Sequence, residues 1–146
     1  MHQTNIFHLV QNGNLKEVKA LLDKDPGTVN LKDGHKWTPL YYAVANSDIK
    51  MVKLLISKGA HLNIHANMGE TPLHLANNIE IAGYLVSQGC DVDLKDNSGL
   101  TAYDLALNER NPGLGGFLLS KSTRTGRIRL IEEAEYEDNL YENRNA

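Results

Sequence analysis

The stretch GETPLHLANNIEIAGYLVSQGCDVD, residues 69–93, reads as two short helices joined by almost nothing. Thr71-Pro72 can open a helix, because proline's missing amide is harmless in a first turn, and Leu73, Leu75 and Ala76 then supply an apolar face. Ile79, Ile81, Ala82, Leu85 and Val86 recur at helical spacing, and Gly89 stands where a helix of that length ends in a left-handed residue. Isolated helices below roughly 12 to 15 residues are marginal in water, so this pair has to lean on neighbours.

The neighbours are copies. WTPLYYAVANSDIKMVKLLISKGAHLN, residues 37–63, repeats the pattern, with Thr38-Pro39-Leu40 matching Thr71-Pro72-Leu73 and Gly59-Ala60 matching Gly89-Cys90. LTAYDLALNERN, residues 100–111, starts another copy with Ala102 in place of proline, and Thr4 leads into NIFHLVQNGNLKEVKALLDKDPGTVN at the beginning. Threonines at 4, 38, 71 and 101 give intervals of about 34, 33 and 30, a period typical of solenoids. Each unit buries only part of its apolar surface by itself, so stability must come from stacking, with polar outer faces on the end units.

These copies resemble the ankyrin repeat, whose unit runs D-x-x-G-x-T-P-L-H, two short helices and G-A-D-V-N. NMGETPLHLA (67–76) and DNSGLTAYDLA (96–106) match its first half, and KGAHLN (58–63) and QGCDVD (88–93) its second. The resemblance covers roughly residues 3 to 120. It implies an all-α repeat solenoid of helix-turn-helix units with β-hairpin fingers, in four repeats near 1–32, 33–65, 66–95 and 96–120. A charged tail, 121–146, follows. Inner helices would line a concave face and longer outer helices a convex one. The family is mostly a protein-binding scaffold, so the expected function is non-catalytic binding of a partner protein through the concave face, with no cofactor and a monomeric free state. Adaptor or scaffold is one form of that function; a dedicated inhibitor or immunity protein that blocks a partner enzyme is the other.

Several positions depart from the repeat. The first copy lacks Thr-Pro-Leu, turns at Asn12-Gly13-Asn14, and carries an extra residue at Pro26 before Val29. In NERNPGLGGFLL, residues 108–119, a proline and three glycines fall where the last outer helix should begin, so that helix is expected to be late, short or frayed. After Ala76 the sequence goes straight to NNIEIAGYLV, with about three residues cut from the loop. Asn77 and Asn78 would then reverse the chain alone, aided by asparagine's tolerance of the left-handed conformation, leaving a shortened inner helix and a notch on the concave side. Lys36 replaces the expected finger glycine, which suggests that Gly34 takes over the left-handed position.

Catalytic readings are weak. His61 and His65 have the i, i+4 spacing of a helical metal pair, but they lie in the extended finger, where four residues at roughly 3.3 Å each carry them well apart. The resemblance gives His74 a hydrogen-bonding role between hairpins, and no motif pairs it with a nucleophile. Cys90 takes the small-residue position and reads as a buried, inert thiol that suits a reducing compartment. NPGLGG lacks the lysine and spacing of a phosphate loop. An enzyme is therefore not expected. A formal charge of −3 over 146 residues, with no basic stripe in the repeats, argues against a nucleic-acid surface. The chain shows neither a signal peptide nor an apolar run long enough for a membrane span, and a cytoplasmic location is expected unless a signal peptide was removed.

Binding residues follow from the finger tips and inner-helix ends that the resemblance exposes. In the second unit these are Gly34, His35, Lys36, Trp37, Ala45 and Asn46; in the third, Asn67, Met68, Glu70, Asn77 and Asn78; in the fourth, Asn97, Ser98, Leu100, Asn108 and Glu109. Trp37, the only tryptophan, is the expected anchor, because a finger needs no large ring for its own sake. Tyr41 stands where the motif has histidine and Tyr42 follows. One of them replaces the lost hairpin hydrogen bond, and the other, Tyr42 in the binding set, widens the aromatic patch. The tail runs from a basic segment, Lys121 to Arg129, into an acidic one with Tyr136 and Tyr141. It reads as a capping helix over 127–140, a disordered end, or an acidic tyrosine-bearing peptide for another protein.

Overall fold

A computed structural model describes residues 5–123. Among the described residues seven α-helices run α1 (Ile6–Gln11), α2 (Leu15–Lys24), α3 (Pro39–Ala45), α4 (Ile49–Ser57), α5 (Ile79–Ser87), α6 (Ala102–Asn108) and α7 (Pro112–Lys121), with 3₁₀ turns at Pro26–Asn30 and Pro72–Leu75. The inner row is α1, α3, the Pro72–Leu75 turn and α6, each packed on the next; α2, α4, α5 and α7 form the outer row. One core runs through the stack, from Ile6, Leu9 and Val18 through Leu40, Val44, Met51 and Leu55 to Leu85, Ala106, Leu114 and Leu118. Helices this short persist because their apolar stripes are buried between neighbours and their free amides are capped. Asn5, Asp48, Asn78 and Asn111 accept from Phe7 N, Met51 N, Ile81 N and Leu114 N in turn.

A ladder of side-chain hydrogen bonds ties the segments after the outer helices together. Asn30 donates to Gly59 O and accepts from His61 N, and Asn63 repeats this with Gly89 O and Asp91 N. At the last rung an acid replaces the amide. Asp93 accepts from the Ser122 hydroxyl, Thr123 N and the Thr123 hydroxyl. All three of those partners are donors, so an acceptor-only carboxylate suits a rung that an asparagine amide would serve less well. The clasp holds the end of α7 against the third unit.

The threonine before each inner helix shows how the repeats are linked. Thr71 N and its hydroxyl meet His74 Nδ1, whose ring reaches across through Nε2 to Leu100 O in the next finger. In the fourth unit Asp104 serves Thr101 in the same way. In the second unit the Tyr41 hydroxyl lies 2.8 Å from both Glu70 O and Ile64 O, taking over the reach to the next finger. Burial, with the charge of Glu70 nearby, holds its phenol protonated well above its ordinary range, which keeps it a donor. Tyrosine has no ring nitrogen to turn back, however, and the Thr38 hydroxyl is buried without a partner among the described residues. Thr38→Val should therefore be neutral or stabilising, whereas Thr71→Val should cost about 1 kcal/mol by removing a buried hydrogen bond, His74 Nδ1 keeping the Thr71 amide. Urea denaturation of the two variants checks this; equal losses would contradict it.

Three expectations need correction. Helix α7 is neither late nor short: it begins at Pro112 and spans 10 residues, as many as α2. Pro112 occupies the first turn, where no amide is needed, Asn111 caps the helix, and Leu114 and Leu118 are buried. The loop at Asn77-Asn78 uses no left-handed residue, unlike the turns at Gly13, Ser47 and Arg110. Asn78 is extended, and the inner helix shrinks to the four-residue 3₁₀ turn as expected. Neighbouring units secure this clipped loop: Ser47 Oγ donates to Asn77 Oδ1, and Asn111 Nδ2 donates to Asn77 O. Finally, Lys36 itself adopts the left-handed conformation at φ 59°, equivalent to Gly69 and Gly99, and Gly34 does not. Asp33 compensates, its Oδ1 accepting from His35 N and Trp37 N on either side of the turn.

The fingers are tight hairpin turns without a β-strand among the described residues. Each is closed by a backbone pair, such as Ala66 N to Glu70 O and Gly69 N to Ala66 O. Among the described residues no helix is long and apolar enough to cross a membrane. The tail from residue 124 onward, including the expected helix over 127–140, lies outside the described residues.

Candidate partner-binding face

Adjacent fingers hydrogen-bond tip to tip. Asn67 N donates to His35 O and its side chain to Gly34 O; Asn97 N donates to Met68 O and its side chain to Asn67 O. This sets three finger tips in a row, with Gly69 so close to Asn97 that a Cβ there would stand 2.6 Å from the Asn97 nitrogen. Between the second and third tips lies an open groove of about 570 Å³, lined by His35, Trp37, Tyr42, Asn67, Met68 and Glu70.

The aromatic wall of this groove is built from the inside out. Tyr41 is fully buried at 0% exposure and Trp37 stacks on it, with ring centroids 5.6 Å apart and planes 18° from parallel. Tyr42 meets Trp37 edge-on at 5.1 Å, and Phe7 of α1 meets Tyr42 edge-on at 5.8 Å from the other side. The Tyr42 hydroxyl donates to Asp33 Oδ2. That hydrogen bond, together with burial and the carboxylate's charge, pushes the Tyr42 phenol up to about 12. One carboxylate thus fixes the turn, Trp37's backbone and Tyr42's ring. Met68 projects from the third tip at 69% exposure, an apolar side chain offered to solvent at the groove's lip.

The remaining expected site residues are spread along the same inner row. Ala45 and Asn46 end α3, Asn108 and Glu109 end α6, and all four are exposed. Asn97 and Ser98 are exposed on the fourth finger, where Asp96 accepts from Ser98 N and Leu100 N; Leu100 is half-buried and gives its carbonyl to His74. Asn77 is exposed and Asn78 half-buried, both engaged in the clipped loop. Lys36 is exposed at the second tip. Thus the groove gathers six of the expected residues, while the others lie outside its lining. Asp33 and Phe7 were missed by sequence reasoning. Asp33 had a signal, since it opens the D-x-x-G unit as Asp96 does; Phe7 had none, because its contact depends on how α1 docks against α3.

Two of the histidines are engaged in holding the fold. His74 bridges two units, and His65 Nδ1 lies 2.8 Å from Gly69 O. No cluster of three or more His, Cys, Asp or Glu able to hold a metal occurs among the described residues. Cys90 is buried, and desolvation pushes its thiol up to about 12. Native protein at pH 8 should accordingly resist thiol alkylation, with Cys90 modified only as fast as the stack opens. Rapid stoichiometric labelling of folded protein would contradict this.

Comparison with known proteins agrees with the architecture. The family model described as ankyrin repeats (3 copies) matches residues 2–66, and the ankyrin repeat model matches residues 68–97. Ankyrin repeat and SAM domain-containing protein 6 of Rattus norvegicus is 39% identical over 112 residues, covering 74% of this chain and 13% of the relative. A putative ankyrin repeat protein of Rickettsia felis is 35% identical over 117 residues, covering 80% of this chain and 41% of its own length. An ankyrin repeat-containing protein of Schizosaccharomyces pombe is 32% identical over 118 residues, 80% of this chain and 56% of the relative. The chain therefore spans little more than half of the last of these and a small part of the first.

Proposed function

Since the chain belongs to the ankyrin-repeat family, whose repeats generally serve as protein–protein interaction modules, we propose that it binds a partner protein through its concave face, with the Trp37–Tyr42–Met68 groove as the anchor site. The supporting observation is the groove itself. A tryptophan, a tyrosine and a largely exposed methionine converge at the mouth of an otherwise hydrogen-bonded row of fingers. Interface anchors are enriched in Trp and Tyr, and a standard interface of roughly 800 Å² per partner would take in the groove, the inner-helix ends Ala45, Asn46, Asn108 and Glu109, and the clipped loop at Asn77 and Asn78. Lys36, Asn97, Ser98 and Leu100 form its rim along the finger tips.

The proposed protein acts without catalysis of its own, as a monomer when free, and its one buried thiol suits a reducing compartment such as the cytoplasm. Inhibition of a partner enzyme is a narrower form of the same function. Affinity capture from the native source with wild-type and Trp37→Ala chains tests the proposal. A partner retained by wild type and lost with Trp37→Ala supports it. Partners retained equally by both chains would move the site off this groove. If the captured partner is an enzyme, a stoichiometric activity titration separates inhibitor from adaptor.

A further inference from the structure

Glu70 lines the groove together with the aromatic wall, and its Oε1 is closed off from water with no hydrogen-bond partner among the described residues. Its backbone is fully used, the carbonyl accepting from Ala66 N and lying 2.8 Å from the Tyr41 hydroxyl, so the residue is firmly placed while its carboxyl lacks a donor. A carboxylate oxygen kept from water without a donor is unfavourable, and turning the Glu70 side chain outward to a cationic donor in the groove relieves that cost. No lysine or arginine lines the groove to do so. The other nearby carboxylate, Asp33, is committed to Tyr42, His35 N and Trp37 N, so it adds negative charge without competing for a new donor.

We propose that this groove receives an arginine side chain of the partner protein, its guanidinium pairing with Glu70 and lying against the Trp37 and Tyr42 rings, with its stem along Met68. The assignment rests on the partner-binding reading above and specifies that partner's chemistry. Arginine fits better than lysine for three physical reasons. Its planar group stacks on aromatic rings, it is weakly hydrated and so enters a half-apolar groove readily, and its fork can reach a carboxylate while still touching a ring.

Trp37, as the only tryptophan, makes the test direct. The full chain is titrated with N-acetyl-arginine methylamide and with its neutral isostere N-acetyl-citrulline methylamide, following Trp37 emission. The arginine probe is expected to saturate in the millimolar range and to bind at least about 10-fold tighter than the citrulline probe. Glu70→Gln should abolish that difference. In the wild-type chain added salt should weaken the arginine probe and leave the citrulline probe unchanged, which keeps the test open should Glu70→Gln fold poorly. Equal binding of the two probes, no saturable response to arginine, or an arginine preference unchanged by salt would each overturn the assignment. Trp37-dependent partner capture alongside indifferent probes would remove the arginine and leave the partner-binding face standing. Charge-selective probe binding alongside Trp37-independent capture would support the arginine pocket and remove the face.

Discussion

Gly69→Ala is expected to destabilise the protein by on the order of 2 kcal/mol or more, about twice the loss from Gly99→Ala. Both glycines sit in the left-handed turn of a finger, at φ 75° and 80°, so each substitution carries the conformational penalty of a Cβ there. They differ in surroundings. A Cβ on Gly69 would meet Asn97 Oδ1 at 2.4 Å and the Asn97 nitrogen at 2.6 Å, whereas nothing lies within 4 Å of one on Gly99. The side-chain oxygen can swing away, but the backbone nitrogen donates to Met68 O and cannot retreat without giving up the link between two fingers. Urea denaturation of the two variants measures the difference; equal losses would mean that the fingers contribute nothing to the stack beyond their own turns.

Trp37→Ala is expected to weaken partner binding at least about 10-fold, or about 1.4 kcal/mol. It should also lower stability by about 1 kcal/mol, because Trp37 is half-buried, stacked on Tyr41 and edge-on to Tyr42, so removing it exposes both rings. Affinity must therefore be compared at a temperature where both chains are fully folded, by calorimetric titration with the captured partner. A stability loss with unchanged affinity would make the ring a brace for the second finger and nothing more.

The repeat architecture was legible because the Thr-Pro-Leu opening of the second and third units and the Thr101 opening of the fourth recur at a fixed period. The shortened inner helix was legible for the same reason, since the cap Asn78 follows Thr71 too soon. Helix α7 was not. Its glycines lower intrinsic helix propensity, but Leu114 and Leu118 are buried in the core that α7 shares with α5 and α6, and packing outweighed propensity. The clipped loop misled similarly, because its hydrogen bonds come from Ser47 and Asn111, one unit away on either side. Lys36 holds a conformation suited to glycine because Asp33 binds the two amides flanking it, a compensation within the same turn that was readable but unread.

For the site, sequence pointed to finger tips and inner-helix ends as a set, and the fold alone decides which of them meet. Trp37, Tyr42, Met68 and Glu70 converge because the second and third fingers are bonded through Asn67. The distinction between Tyr41 and Tyr42 also needed three dimensions. Neighbours in sequence, one turns inward to the carbonyls of the next unit and the other turns to the groove.

The central claim is that a partner protein seats on the concave face at the second and third fingers. Hydrogen–deuterium exchange of the full chain, free and saturated with its captured partner, tests it most directly. The account predicts new protection in residues 33–46 and 66–78, extending to 97–109, with the outer helices α2, α4 and α5 unchanged. Protection confined to those outer helices, or to the segment after Lys121, would contradict it.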